Sequence, residues 1–131
     1  MKHAVDDSDF DAYIYRLFET NFSMGLEPQV FDTAKNLSAD YGGGTWDFFA
    51  LSNGGFFMSP RHGIDFEICC ASGARVRMSA EAFGITVCLF VFSHLSFGRG
   101  PFAEACGRHY YLLRAFAFEH LEASVILRAT D

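Results

Sequence analysis

The sequence predicts an α+β domain in which a small antiparallel sheet of two hairpins packs with about four helices, in the order ααββββαα. Apolar residues recur at helical spacing near both ends of the chain, and two pairs of short runs flank turn sequences in the middle. Half of the 131 residues are hydrophobic, and 16 are phenylalanine. This apolar supply is enough for one core, so we expect a single domain over 1–131 with a helical N-terminal part, 1–40.

Two helices are predicted in the N-terminal part. Ser8 is placed to cap the first helix, with Asp11 as its reciprocal partner three residues later. Pro28 suits the first turn of the second helix, which ends before the flexible joint 41–44. The apolar stripe of the first helix consists of Phe10, Tyr13, Ile14, Leu17 and Phe18.

Residues 45–59 are predicted to form the first hairpin. Asn53-Gly54 lies between apolar runs, and this dipeptide favours a two-residue loop in which both residues have positive φ. That loop pairs Leu51 with Phe56. The aromatic side chains that then share one face of the hairpin are Trp46, Phe48 and Phe57.

A second hairpin is predicted over 66–78, with 71–73 as its loop and Gly73 in the left-handed conformation. We prefer this register because apolar partners then share one face and polar partners share the other. The predicted pairs are Phe66 with Met78, Glu67 with Arg77, Ile68 with Val76, and Cys69 with Arg75.

The remainder of the chain is predicted to be helical. Ser79 is placed to cap a helix whose body, 82–95, is apolar on nearly every side, which is typical of a buried central helix. The segment 98–101 is a turn. The last helical region runs from Phe102 to Thr130, with a bend near 119–122.

Charge and targeting signals narrow the function classes. The net charge is −6, and residues 1–50 carry three basic and nine acidic side chains, so strong nucleic-acid binding is not expected. No secretory signal precedes the domain, and the longest apolar run, 82–92, is too short to span a membrane. We therefore expect a cytoplasmic protein whose four cysteines are reduced.

Metal and nucleophile chemistry have weak support. Cys69 and Cys70 are adjacent, so on a strand their side chains point to opposite faces. Cys106 and His109 together supply only two metal ligands. We therefore expect neither a metal site nor a cofactor. Cys69 opposite Arg75 has a cation that favours the thiolate, but His62 or His94 would have to supply the base. Core packing and surface pairing are the simpler interpretations of these residues.

The aromatic hairpin face is the candidate site for a partner. Aromatic and arginine side chains dominate interface energetics, so this face is a predicted protein-binding surface. The alternative is that helices cover it as a second layer. The candidate partner-binding residues are Trp46, Asp47, Phe48, Asn53, Phe57 and Arg61.

The segment 41–60, which reads YGGGTWDFFALSNGGFFMSP, resembles the signature of the KlcA/ArdB antirestriction proteins. The likeness continues through 78–86, 119–123 and 126–131 and covers roughly residues 40–131. The LSNGGF turn is its most specific element.

This resemblance implies an accessory protein of plasmids or other mobile elements that relieves type I restriction of incoming DNA. It implies a non-catalytic protein that contacts the restriction enzyme or an associated host protein. The alternatives are a DNA-binding regulator of a mobile element and a small cysteine-dependent enzyme. The sequence leaves the oligomeric state open.

Overall fold

The computed structural model describes residues 1–18, 25–61 and 65–130, and these ranges form the predicted α+β fold. The α-helices in them are α1 (Phe10–Phe18), α2 (Glu27–Leu37), α3 (Ala80–Ser96), α4 (Pro101–Phe118) and α5 (Ala123–Thr130). The strands are β1 (Lys2–Ala4), β2 (Trp46–Leu51), β3 (Phe56–Pro60), β4 (Phe66–Cys69) and β5 (Arg75–Met78).

The strands form two antiparallel sheets, whereas one sheet of two hairpins was predicted. Strands β1, β2 and β3 make the first sheet in that spatial order, and β4 and β5 make the second. Strand β1 places Lys2 opposite Leu51 and is bonded to β2 through its backbone. Sequence patterning does not indicate β1, because its three side chains are all exposed and carry no alternation.

The register of the first hairpin differs by one residue from the prediction. Phe56 lies opposite Ala50, not Leu51, because the loop has three residues, 52–54. Leu51 N–H donates to the Gly55 carbonyl (2.9 Å), and Gly54 has φ of +91°. This is a three-residue loop with one left-handed glycine, and the predicted two-residue loop is wrong.

The side chain of Asn53 explains this choice of loop. Its Oδ1 accepts from the Gly55 N–H (2.9 Å), and its Nδ2 donates to the Leu112 carbonyl of α4 (2.8 Å). The first bond fixes the turn internally, and the second holds it against a helix. A tertiary contact therefore overrides the local preference of the Asn-Gly dipeptide.

The second hairpin has the predicted register. Its four pairs are the ones expected, from Phe66 opposite Met78 to Cys69 opposite Arg75. Cys70 N–H donates to the Ala74 carbonyl (2.8 Å), and Gly73 has φ of +89°. The two hairpins therefore close with the same hydrogen-bonding pattern around a left-handed glycine.

The helix ends confirm most of the expected signals. Ser79 caps α3 by accepting from the Ala82 N–H (3.2 Å), and Pro28 lies in the first turn of α2. The bend near 119–122 is a break that separates α4 from α5. The predicted cap at Ser8 is wrong, because Ser8 lies inside a 3-10 turn, Asp7–Asp9, and α1 begins at Phe10.

Helix α3 is the centre of the molecule, as its composition predicts. Every residue from Ala82 to Leu89 is buried. The helix packs against β3, where the Met58 carbonyl accepts from the Cys88 thiol (3.8 Å). A Cβ at Gly84 would lie 2.3 Å from the Met58 carbonyl oxygen and 2.4 Å from the Ser59 Cβ, so only glycine permits this approach.

We expect Gly84→Ala to lower the free energy of unfolding by about 3 kcal/mol or more, because strand and helix must separate to admit a methyl group. Gly107→Ala is the matched control, since its Cβ would meet Ser96 Cβ at an ordinary 3.7 Å. That variant should be neutral or stabilised by up to about 1 kcal/mol, the gain of alanine over glycine in a helix. Urea unfolding measures both, and equal stability of the two variants would contradict the packing argument.

Candidate functional site

The predicted partner surface is divided by the observed register. Trp46 and Phe48 share one face of the first sheet, and Phe57 lies on the other, opposite Phe49. Trp46 is only 4% exposed and Phe57 is fully buried. The expectation that the three aromatics share a face is therefore wrong, and the alternative, a face covered by helices, describes the structure.

The N-terminal helices cover the Trp46 face. The Trp46 indole N–H donates to the Tyr41 hydroxyl (3.0 Å), and the Phe31 ring of α2 lies 5.7 Å from the indole. Phe10 of α1 stacks on Phe48, with ring centroids 3.6 Å apart. These contacts bury most of the aromatic surface that the sequence analysis assigned to a partner.

The opposite face of the sheet is covered by the C-terminal half of the chain. Phe57 stacks on Phe49 at 5.0 Å and on Phe116 of α4 at 5.7 Å. Lys2 extends over the Phe49 ring, with its Nζ 4.4 Å from the centroid. Both faces of the sheet therefore contribute to the core.

Three of the six predicted residues keep accessible polar groups. Arg61 forms an ion pair with Asp47, in which the Nη2–Oδ1 distance is 2.7 Å, and both side chains are more than one-third exposed. Asn53 lies at the other end of the hairpin, at the tip of the turn. The partner-binding role stays a prediction for all six residues, and these three supply the polar groups that a partner can reach.

Asn53 borders a groove between the hairpin turn and α4. The groove has a volume of about 210 Å³ and also contacts the chain start, where the Met1 amino group donates to Ser52 Oγ (3.2 Å). Its lining residues are Met1, Leu51, Ser52, Asn53, Ala115, Phe116 and Glu119. Apolar and polar side chains both line the groove, which suits contact with another chain.

A cluster of partly buried polar side chains joins α3 to the break between α4 and α5. His120 Nε2 lies 2.7 Å from Glu81 Oε2, and its Nδ1 accepts from the Glu122 backbone N–H (3.0 Å). The Glu122 carboxylate in turn accepts from Ser79 N–H (2.9 Å) and from its hydroxyl, and Lys2 pairs with Glu81.

This cluster has the composition of an acid–base site but the bonding of a structural one. Partial burial would raise the pKa of Glu81, but hydrogen bonds from Lys2 and His120 outweigh it and hold that pKa below its usual value. Both ring nitrogens of His120 are engaged, so neither is available to take a proton from a substrate. Sequence analysis named Ser79 only as a helix cap and did not predict that these residues meet, because the roughly 40 residues between the two segments leave no local signal.

Of the four cysteines, Cys70, Cys88 and Cys106 are buried and Cys69 is exposed. Burial raises the pKa of the Cys88 and Cys106 thiols to about 12, far from thiolate formation at neutral pH. Arg75, expected to favour a Cys69 thiolate, is paired with Glu67 at 3.1 Å. Across residues 1–18, 25–61 and 65–130, His, Cys, Asp and Glu side chains form no cluster of three suited to a metal ion. His62 lies outside the described residues.

We expect one thiol to react rapidly in the native protein, because Cys69 is exposed while the other three are buried. Labelling with a chromogenic disulfide should show one fast thiol in native buffer and four in denaturant. Cys69→Ser should remove the fast phase alone. Fast labelling of Cys88 or Cys106 would contradict the burial.

His109 is a buried neutral histidine in an aromatic setting. It is 4% exposed, its ring lies 4.5 Å from Phe18, and its Nδ1 has no hydrogen-bond partner in the described part of the chain. Burial, with a smaller effect of the Arg108 charge, lowers the pKa of His109 to about 4. This supports the core role that sequence analysis favoured over metal ligation.

The pKa of His109 predicts a pH dependence of stability. An unfolded histidine binds a proton near pH 6.5 but the folded one only near 4, so acidification between these values favours unfolding. From about pH 7 to about pH 5, the free energy of unfolding should fall by about 2 kcal/mol more in the parent than in His109→Leu. Urea titrations at both pH values measure the free energy of unfolding. An equal loss of stability in the parent and in His109→Leu would contradict the prediction.

None of the helices in the described ranges is long and apolar enough to cross a membrane.

Comparison with known proteins identifies the family. A model of the antirestriction protein family matches residues 39–131. Antirestriction protein KlcA of Escherichia coli is 41% identical over 108 residues, which are 80% of this chain and 74% of KlcA. YafX of E. coli K12, an uncharacterised protein, is 43% identical over 109 residues, which are 81% of this chain and 70% of YafX.

A solved structure extends the match to the whole fold. It superimposes with a TM-score of 0.88 at 32% identity and covers 100% of this chain and 94% of the matched chain. It comes from work on KlcA and ArdB that describes a novel fold and antirestriction activity against type I DNA restriction systems in vivo but not in vitro. The resemblance seen in the sequence is thereby confirmed, and this chain belongs to the antirestriction protein family, which is not a family of catalytic enzymes.

Proposed function

We propose that this chain relieves type I restriction of incoming DNA by binding a protein of the restricting cell, without catalysing a reaction. One observation carries the proposal: the chain matches a KlcA/ArdB structure over its full length, and antirestriction activity against type I systems is described for those proteins. The activity there is seen in vivo but not in vitro. If this chain likewise acts only in cells, its partner is a further host protein, either together with the type I enzyme or in place of it.

The side-chain chemistry supports contact over catalysis. Two cysteines are buried with raised thiol pKa values, and both His120 nitrogens are engaged. A protein of this kind acts through the shape and charge of its exterior. The acidity of the N-terminal part supports a protein partner over DNA, because phosphate binding needs exposed positive charge.

We place the partner contact at the exposed ends of the first hairpin. Asp47 and Arg61 form an accessible ion pair at one end, and Asn53 is exposed at the other. Arginine is a frequent contributor to interface energy, and a carboxylate beside it fixes its orientation. Because core side chains such as Phe10 and Val30 come from the N-terminal part, we propose that 1–131 acts as one domain.

The function is tested in cells that carry a type I restriction system. Unmodified phage should plate more efficiently when the protein is expressed. The double variant Asp47→Ala/Arg61→Ala should lower this plating efficiency at least about tenfold, the effect expected when an interface hot spot is lost. Glu67→Ala/Arg75→Ala is the control, because it removes another exposed carboxylate–arginine pair from the second hairpin. We expect it to retain protection.

The competing functions predict different results. Absence of protection by a folded, abundant parent would refute antirestriction, and equal protection by both double variants would refute the Asp47–Arg61 contact. Cys69→Ser should protect as the parent does, whereas an enzyme that uses Cys69 as its nucleophile would lose activity. A DNA-binding regulator would show DNA affinity that falls steeply with salt, in contrast to the proposal.

A further inference from the structure

Strand β1 is an open edge of the first sheet. It is the outermost strand in the order β1-β2-β3, and its three side chains are all exposed. Strand β3, the outermost strand on the other side, is buried along its whole length. An exposed edge strand leaves backbone N–H and C=O groups without a partner strand, so β1 is where this sheet can accept a further strand.

The register shows which backbone groups of β1 point away from the sheet. Val5 N–H, just after the strand, donates to the Phe48 carbonyl (2.8 Å). Bonded residues alternate along an antiparallel ladder, so His3 directs its backbone groups at β2, whereas Lys2 and Ala4 direct theirs outward. Within the described ranges, none of these outward groups has a hydrogen-bond partner. Two donors and two acceptors, spaced about 7 Å apart along the strand, are therefore open to another extended chain.

A groove of about 530 Å³ adjoins this edge. Ala4 and Val5 line it on the strand side, and Tyr13 and Arg16 of α1 line it on the helix side. Helix α1 covers the face of the sheet that carries Phe48. Because side chains alternate between the two faces of a sheet, every second side chain of an added strand would point toward this groove.

Negative charge predominates in the groove. Asp6 and Asp9 contribute carboxylates to its wall, and both residues are exposed. Asp6 Oδ1 accepts from the Ser8 N–H (3.3 Å), which fixes the direction of that carboxylate. The guanidinium of Arg16 lies over the Tyr13 ring, 5.4 Å from its centroid. The two carboxylates outnumber this cation, so the groove suits a lysine or arginine side chain from an added strand.

We infer that the edge of β1 binds an extended, basic segment of another protein, which pairs antiparallel with it and adds a fourth strand to the first sheet. Lys2 and Ala4 exchange backbone hydrogen bonds with alternate residues of this segment. The residues between these direct lysine or arginine side chains into the groove, toward Asp6 and Asp9. In strand addition, backbone bonds supply affinity and alternate side chains supply specificity.

Charge and backbone chemistry favour this occupant over the alternatives. Residues 1–50 carry nine acidic and three basic side chains, so a second copy of this chain would bring like charge to the same edge, whereas a basic segment is attracted. DNA has no peptide backbone to match Lys2 and Ala4, and its phosphates would meet Asp6 and Asp9. A strand of three residues pairs with only a short segment, so we expect reversible binding.

Peptides with a blocked backbone test the pairing. The probe is a fluorescently labelled synthetic peptide of about ten residues in which lysine and valine alternate. In the proposed register the valines pair with β1 and the lysines face the groove. N-methylation of the valines should weaken binding at least about tenfold, because it removes the N–H groups that meet Lys2 and Ala4. N-methylation of the lysines keeps the same composition and charge and should change the affinity by less than about threefold.

Variants of the protein test the same contacts from the other side. Ala4→Pro removes an outward N–H from an edge strand, where proline is tolerated, and should weaken binding of the unmethylated peptide at least about tenfold. Ala4→Ser keeps this N–H and is the matched control. Asp6→Asn/Asp9→Asn should weaken binding about threefold or more, whereas Asp32→Asn, at an exposed position on α2, should not. Circular dichroism confirms that each variant is folded.

Hydrogen exchange of the backbone amides separates strand pairing from simple charge attraction. The Lys2 and Ala4 amides should exchange fast in the free protein and slowly with the peptide bound, while His3 stays slow throughout.

An unmethylated peptide that fails to bind at about 500 µM protein overturns the proposal. Equal or reversed affinities of the two methylated peptides, or unchanged exchange at Lys2 and Ala4, overturn the antiparallel pairing at this edge. The assay contains no restriction system, so its failure would leave the proposed function standing.

Discussion

The close approach of helix α3 to strand β3 is the constraint on which the rest of the fold depends. At Gly84 the helix comes so near that a Cβ would overlap the Met58 carbonyl and the Ser59 side chain. That contact lets one apolar helix be fully buried from Ala82 to Leu89 and gives the Met58 carbonyl a partner in the Cys88 thiol. The other elements then pack around the α3–β3 pair, with α1 and α2 on one face of the sheet and α4 on the other.

The segments that resemble the family meet in space, and they meet to build the scaffold. Ser79 and Glu81, from the segment 78–86, bond to Glu122 and His120 from the segment 119–123. Asn53, from the segment 41–60, ties the hairpin turn to α4. These bonds lie between elements that are far apart in sequence, so the most recognisable residues of this chain report on how the fold closes. They say less about where a partner binds.

The sequence predicted elements well where a local pattern decides the structure. The second hairpin has its expected register because alternating apolar and polar pairs leave one arrangement that buries Phe66 and Ile68. The first hairpin is apolar on both faces, so side-chain pattern could not set its register, and the bond from Asn53 to Leu112 decided it. Strand β1 escaped prediction because its three side chains are all exposed and give no alternating pattern. The site was harder still, since composition cannot tell an aromatic face covered by the same chain from one covered by a partner.

Because the aromatic face is buried, a partner can contact only the exterior of the protein, where the accessible polar groups lie apart. Asp47 and Leu51 are four residues apart on β2, which at strand spacing is about 13 Å, and the turn that contacts α4 lies beyond Leu51. A partner that contacts both the Asp47–Arg61 pair and Asn53 must therefore span the length of the hairpin. A contact of that length suits a protein surface, since small molecules bind in concave sites that enclose most of their area.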